Sequence, residues 1–212
     1  MYTLYYSPST ASMAVHWILI ELALPFDLVL VDIAAKAQKS PAFLRLNPSG
    51  HVPVLVIDDV PYTECAALLM LLAERHPAAN LSPAIGTAER SSYLQTMLYL
   101  ANTLQPAYRS WFYPEEAAGA ENIEAAKAQA RAKVEQVWTR LDAKFADGRI
   151  FLLGRNLTAA DFLATILMRW SRNMPRPATT YPNLSAYIDR MRAMPSLREV
   201  HVREQLTDWI DG

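Results

Sequence analysis

Cysteine occurs once in this chain, at position 65, so no internal disulfide can form and the usage fits a reducing, cytoplasmic compartment. Charge of one sign is also lacking. Twenty basic and 21 acidic residues leave a net charge of −1, scattered along the sequence, which offers no basic face to nucleic acid or to a membrane surface. Long apolar runs are absent: the longest, Ala66–Ala73, is far short of the roughly 20 residues that a membrane span needs. No basic stretch precedes an apolar one at the N-terminus, so no leader is expected. His16, His76 and His201 show no metal-ligand spacing with one another or with acids, and no metal is expected. Neither an internal repeat nor a low-complexity segment stands out. What is present, 52% hydrophobic and 19% charged residues in a chain of 212, is ordinary globular composition with room for one large domain or two small ones.

Two patterns divide the sequence. Up to about His76, strand-like and helix-like pieces alternate. Tyr2–Tyr6 reads as a strand, Met13, Trp17, Ile20 and Leu24 recur at helical spacing, and 26–31 reads as a strand again. A β-α-β opening of this length implies parallel neighbours joined by a right-handed crossover. Val54–Ile57 and Val60–Tyr62, separated by Asp58-Asp59, predict an antiparallel hairpin, and 66–74 predicts a helix with Ala67, Leu68, Leu71 and Leu72 inward. The segment 76–86, with two prolines, a glycine and no periodicity, reads as a linker. Beyond it only helical periodicity occurs. Leu94, Leu98, Ala101, Leu104, Tyr108 and Trp111 form one stripe, Ile123, Ala130, Val134, Trp138, Leu141 and Phe145 a second, and Phe162, Leu163, Ile166, Leu167 and Trp170 a third. Thr158-Ala159-Ala160-Asp161 has the spacing of an acidic capping box, a folding signal with little functional content.

The stretch Asn47–Ala67, NPSGHVPVLVIDDVPYTECAA, is the most informative. Proline at a strand start cannot donate to a sheet ladder, so Pro53 marks an edge or a bend. With the Val52–Pro53 bond in the cis form, the Val52 main chain would turn outward and pair with an extended peptide as one more strand would. A few residues on, Thr63-Glu64-Cys65 opens a helix whose first N–H groups offer a socket to a carboxylate. An edge that pairs with peptide beside a carboxylate socket describes a small-peptide site.

These residues resemble the glutathione-binding half of the glutathione S-transferases, and the resemblance runs the length of the chain. It is carried by N-P-x-G-x-V-P at Asn47–Pro53, the [TS]-E-[SC]-A pattern at Thr63–Ala66, the strand-loop-helix opening at Tyr2–Leu24, and L-T-A-A-D-F at Leu157–Phe162. It implies an α+β chain: a thioredoxin-like β-α-β-β-α domain over 1–77, a linker over 78–87, and an all-α helical bundle over 88–212. It further implies a cytoplasmic homodimer that takes glutathione as co-substrate, with His51, Val52, Pro53, Glu64 and Cys65 at the tripeptide. Glu64 would meet the γ-glutamyl ammonium, and the Cys65 N–H its carboxylate. Gln38 and Lys39 are weaker partners for the glycyl carboxylate.

Such an enzyme must hold the glutathione thiol as a thiolate, although a free thiol titrates near ~8.5. The loop Ser7–Ser12 supplies four hydroxyls beside a helix N-terminus, where serine and threonine also serve as caps. Tyr5–His16 is similar to the opening of the bacterial beta class, yet that class's loop cysteine falls on Ala11 and its His-Lys pair on Gln105 and Pro106. The serine of theta- and zeta-like members falls on Ser9. Ser9 is therefore the expected thiolate stabiliser, with Thr10 and Ser12 as alternatives and Tyr6 at the strand end a further one. An apolar electrophile is expected between the domains, near Tyr6 and the aromatics Tyr108, Trp111 and Phe112. Two other activities fit the same resemblance: glutathione binding without turnover, and glutathione-dependent peroxide reduction or deglutathionylation.

Overall fold

The computed structural model describes residues 1–211, apart from the side chains of Ala117 and Ala120; Gly212, the last residue of the expected helical domain, lies outside the described residues. The backbone divides into two units, Met1–Ser82 with Arg192–Gly212, and Pro83–Met191.

The first unit begins with β1 (Tyr2–Tyr6), α1 (Ser12–Glu21), β2 (Phe26–Leu30), α2 (Pro41–Leu46), β3 (Val54–Ile57), β4 (Val60–Tyr62) and α3 (Cys65–Arg75). Its sheet has the order β2-β1-β3-β4. β1 and β2 are parallel, as the expected crossover requires, with Tyr6 opposite Leu30. β3 runs antiparallel to β1, with Tyr5 opposite Val54, and β4 antiparallel to β3, with Tyr62 opposite Leu55. The β3–β4 reversal works because Asp58 and Asp59 both take positive φ, 49° and 68°, the twist a two-residue hairpin turn demands. Ser40 caps α2 by accepting from the Phe43 N–H, and Pro41 occupies the first turn, where its missing N–H costs nothing.

Alternation along the strands sorts the core into two faces. Val54 packs with Phe43 of α2 and with Val31, joined by Tyr5, Val52 and Val56. Leu4, Leu55 and Ile57 point the other way and are buried, on the face where α1 packs against β1. In α3 the buried residues are Cys65, Ala66, Leu68, Leu69, Leu72 and Ala73, so Ala67 faces out where the expected stripe had it inward.

The second unit is helical: α4 (Ala88–Tyr99), a π-type turn (Leu100–Leu104), α5 (Gln105–Phe112), α6 (Pro114–Ala118), α7 (Ile123–Phe145), α8 (Ala159–Trp170) and α9 (Pro182–Arg192). The π turn adds a residue to the helical repeat and shifts the buried face. Tyr93, Met97, Leu100, Leu104 and Tyr108 are buried, whereas Leu94 and Leu98 of the expected stripe are exposed. The stripes on α7 and α8 lie in the core, with Ile123 and Trp170 only half-buried. At the start of α8 the capping box forms as expected. Asp161, fully buried, accepts from the Thr158 N–H at 2.9 Å, the Thr158 hydroxyl at 3.0 Å, the Leu152 N–H at 2.9 Å and the Tyr187 hydroxyl at 3.0 Å.

The last helix, α10 (Pro195–Arg203), returns to the first unit, so the helical domain expected over 88–212 loses its tail. The reason is side-chain pairing with α1: the Trp17 indole N–H donates to Ser196 Oγ at 2.8 Å, Ser196 donates to Glu21, and His16 pairs with Glu204. Packed by α3 and α10, α1 is buried over all of residues 12–19.

Candidate functional site

Strand register brings three segments to one end of the sheet. The end of β1, the start of β3 and the end of β4 are neighbours, because Tyr5 pairs with Val54 and Leu55 with Tyr62. The loop Ser7–Ser12, the turn Asn47–Pro53 and the start of α3 therefore emerge together. One contact ties them directly: the Cys65 thiol donates to the Ala11 carbonyl at 3.3 Å.

In the first segment, two of the four hydroxyls are spent on the loop itself. Ser12 is fully buried; its Oγ donates to the Ser7 carbonyl at 3.1 Å and accepts from the Ser7 N–H at 3.2 Å. Thr10 Oγ1 lies 2.7 Å from the Ser7 carbonyl, 2.8 Å from Ser12 Oγ, and accepts from the Ser12 N–H. Both alternatives for the thiolate donor are thus engaged within the loop, with Ser7 and with each other. Ser9 differs: it is half-exposed, carries φ +63°, and its N–H donates to Glu204 Oε2 at 3.0 Å. A serine in the left-handed region costs on the order of 1 kcal/mol or more unless its surroundings enforce it. Tyr6, half-buried at the end of β1, has its phenol pKa raised by burial and by the charge of Glu204, so its hydroxyl stays protonated.

In the second segment, Asn47 organises the turn. Its amide donates to the His51 carbonyl at 2.7 Å and its Oδ1 accepts from both the N–H and the hydroxyl of Ser49. Gly50, at φ +65°, is required here, since a Cβ would meet Lys39 Nζ at 2.6 Å and the Gln38 carbonyl at 3.0 Å. Lys39 Nζ donates to the Ser49 carbonyl at 3.3 Å, and the Gln38 side-chain oxygen is buried without a partner among the described residues. His51 is exposed, Pro53 is buried, and the bond between Val52 and Pro53 is cis. Among the described residues, neither the N–H nor the C=O of Val52 has a hydrogen-bond partner, since the ladder to β1 starts only at Val54.

The third segment is a helix end left open. Glu64 stands at the N-cap of α3 with φ +69° and makes no side-chain cap, so the N–H groups of Cys65, Ala66 and Ala67 point out of an eleven-residue helix. Its carboxylate is exposed and has no protein partner among the described residues. Cys65 itself is buried, and burial followed by the charge of Glu64 pushes its thiol up to about 12. The thiol is therefore protonated at neutral pH.

In the second unit, three rings of α5 and α8 form a cluster. Tyr108 stacks on Phe112 with centroids 5.8 Å apart and meets Trp170 edge-on at 5.5 Å. Tyr108 is wholly inside, which corrects the expectation that it lines a substrate pocket; its ring serves the core. Phe112 is exposed, and Trp111, half-buried, lies under Lys127 Nζ at 6.0 Å. A separate groove of about 650 Å³ between α5, α6 and α7 is lined by Pro106, Ala107, Ser110, Asn122 and Lys133 among others, with none of the expected aromatics.

The sequence matches the family description "Glutathione S-transferase, N-terminal domain" over residues 8–75 and "Glutathione S-transferase, C-terminal domain" over 93–195. It is 34% identical over 195 residues to glutathione S-transferase GST-4.5 of Xanthomonas campestris pv. campestris, covering 90% of this chain and 92% of that protein. The chain belongs to the glutathione S-transferase family. Among solved structures, a glutathione transferase homologue from Sulfitobacter with bound glutathione superposes with a TM-score of 0.88 at 29% identity, covering 96% of this chain and 98% of that one. A sphingomonad glutathione S-transferase complexed with glutathione gives a TM-score of 0.84 at 32% identity, covering 97% and 100%.

As a glutathione S-transferase the chain has the expected fold, a thioredoxin-like N-terminal domain and a helical C-terminal domain. Among the described residues no group of three or more His, Cys, Asp or Glu is placed to hold a metal ion, and no helix is long and apolar enough to cross a membrane. Sequence reasoning missed two residues beside the loop, Glu204 and His16. Glu204 lies 195 positions from Ser9, and no local pattern links them. His16 sits within a fully buried stretch of helix, where a polar ring requires a partner that the sequence alone does not name.

Proposed function

We propose that this glutathione S-transferase conjugates the glutathione thiolate to an apolar electrophile, with the Ser9 hydroxyl holding the sulfur and Val52, Glu64 and the Cys65 N–H holding the peptide. The observation that carries this reading is the main chain of Val52, an unpaired donor and acceptor at the start of a strand. An extended cysteinyl residue completes it as an added strand would. Glu64 then meets the γ-glutamyl ammonium, and the open first turn of α3 receives the γ-glutamyl carboxylate. His51 and Lys39 border the glycyl end.

With Thr10 and Ser12 bonded to Ser7 and to each other, Ser9 is the loop hydroxyl we assign to the sulfur. A hydrogen bond given to the anion lowers the thiol pKa, and a fixed nucleophile beside a bound electrophile supplies proximity. Ser9→Ala is expected to move the appearance of thiolate absorbance from bound glutathione upward by about one pH unit, tenfold less thiolate at neutral pH. An unmoved titration rules Ser9 out and returns the role to Tyr6 or to main-chain donors.

Cysteine-based reduction fits less well, because the loop has Ala11 in place of a cysteine and the Cys65 thiol is buried and protonated. We place the homodimer contact on the exposed Leu94 and Leu98 of α4, apolar side chains that a lone subunit leaves in water. Leu98→Glu is expected to halve the mass measured by sedimentation; a wild-type protein that sediments as one subunit removes the dimer.

A further inference from the structure

We propose that Glu204 is a positioning residue for thiolate formation: held by His16, its carboxylate fixes the Ser9 backbone in the left-handed conformation from which the hydroxyl meets the sulfur. This rests on the assignment of Ser9 above. The step served is ionisation of the bound thiol. The S–H proton leaves to solvent, the electron pair stays on sulfur, and the Ser9 O–H donates to it.

The loop's own hydrogen bonds single out this contact. The Ser7 N–H goes to Ser12 Oγ, the Thr10 N–H to the Ser7 carbonyl, the Ser12 N–H to Thr10 Oγ1, and the Met13 N–H to the Thr10 carbonyl. Only Ser9, the residue with positive φ, has its N–H satisfied from outside the loop, by Glu204 Oε2 at 3.0 Å. The other carboxylate oxygen lies 2.9 Å from His16 Nδ1, and both side chains are fully buried. His16 is in turn held between the rings of Tyr6 and Phe26, at 5.8 and 5.6 Å. The Glu204 backbone is equally fixed: its N–H donates to the Val200 carbonyl, and the Leu206 N–H closes onto the His201 carbonyl.

Burying a carboxylate fully is costly, and the tail already has a separate fastening, in which Trp17, Ser196 and the half-buried Glu21 clasp α10 to α1. The carboxylate instead accepts from a loop N–H, that of Ser9.

The test compares four variants by thiolate titration of bound glutathione and by KM against kcat with a generic aryl halide. All are measured below their melting temperatures. Glu204→Ala is expected to raise the titration by about one pH unit, as Ser9→Ala does, and to raise KM for glutathione about tenfold. Glu204→Gln keeps an oxygen for the Ser9 N–H and, with the His16 ring proton moved from Nδ1 to Nε2, donates its amide N–H to Nδ1, so it is expected to recover most of that loss. Trp17→Phe cuts the other clasp and is expected to lower the melting temperature while the titration stays put. A folded Glu204→Ala protein with a wild-type titration overturns the proposal. So does a Gln variant as impaired as Ala, or a Trp17→Phe shift as large as that of Glu204→Ala. If Glu204→Ala does not fold, Glu204→Asp, one methylene short of Ser9, must show a partial shift, and an unmoved titration is again fatal. No shift in Ser9→Ala overturns the Ser9 assignment itself, and this proposal with it; a shift there without one at Glu204 overturns only the latter.

Discussion

Replacing Glu64 with alanine is expected to weaken glutathione binding roughly 30-fold, about 2 kcal/mol, the middle of the range for hydrogen bonds to charged groups. The physical case is the solitude of this side chain. Its carboxylate has no protein partner among the described residues, and it stands over a helix start whose N–H groups are open. An α-amino acid head group supplies both missing halves, an ammonium for Glu64 and a carboxylate for the first turn of α3. In the free protein Glu64 is exposed, so removing it costs little stability, and the loss falls on binding. Titration calorimetry reads the effect, and Glu64→Gln, which keeps the shape and drops the charge, should fall between wild type and alanine. An unchanged dissociation constant in the alanine variant would remove Glu64 from the site.

Replacing Asp161 with alanine has the largest expected effect on the fold and no bearing on the chemistry. Four donors converge on this buried carboxylate, two of them main-chain N–H groups that water cannot reach once it is gone. Stranded buried donors cost about 1–3 kcal/mol each, so a loss of about 3–5 kcal/mol is expected. For a chain of this size that is roughly a 10 °C fall in Tm. Calorimetric melting checks it. A fall of only a degree or two would mean that the donors find other acceptors and that the capping box is dispensable.

Local chemistry made much of this molecule legible in its sequence. The β3–β4 hairpin was readable because two aspartates between apolar runs permit positive φ, and α8 because Thr158 and Asp161 stand at capping-box spacing. The proline-led start of β3 marked the peptide edge for the same kind of reason: proline has no N–H to pair. Long-range and competitive effects were not readable. The stripe through Leu94 and Leu98 assumed a regular repeat, and the π turn at Leu100–Leu104 moved the buried face onto Tyr93 and Met97. Tyr108 went inward with that face. Four loop hydroxyls looked equivalent in sequence, and only packing commits Ser12 and Thr10 to one another and to Ser7. The tail's return to α1 depends on Glu204 and Ser196 meeting His16 and Trp17 across nearly the whole chain, a pairing that leaves no periodic trace.

A crystal structure of this protein soaked with reduced glutathione tests the central claim most directly. The result expected is a tripeptide whose cysteinyl N–H and C=O pair with the Val52 main chain, whose α-amino group lies against Glu64, and whose sulfur sits within hydrogen-bond distance of Ser9 Oγ. A tripeptide bound with Val52 still unpaired, or with its sulfur turned away from Ser9 toward another donor, contradicts it.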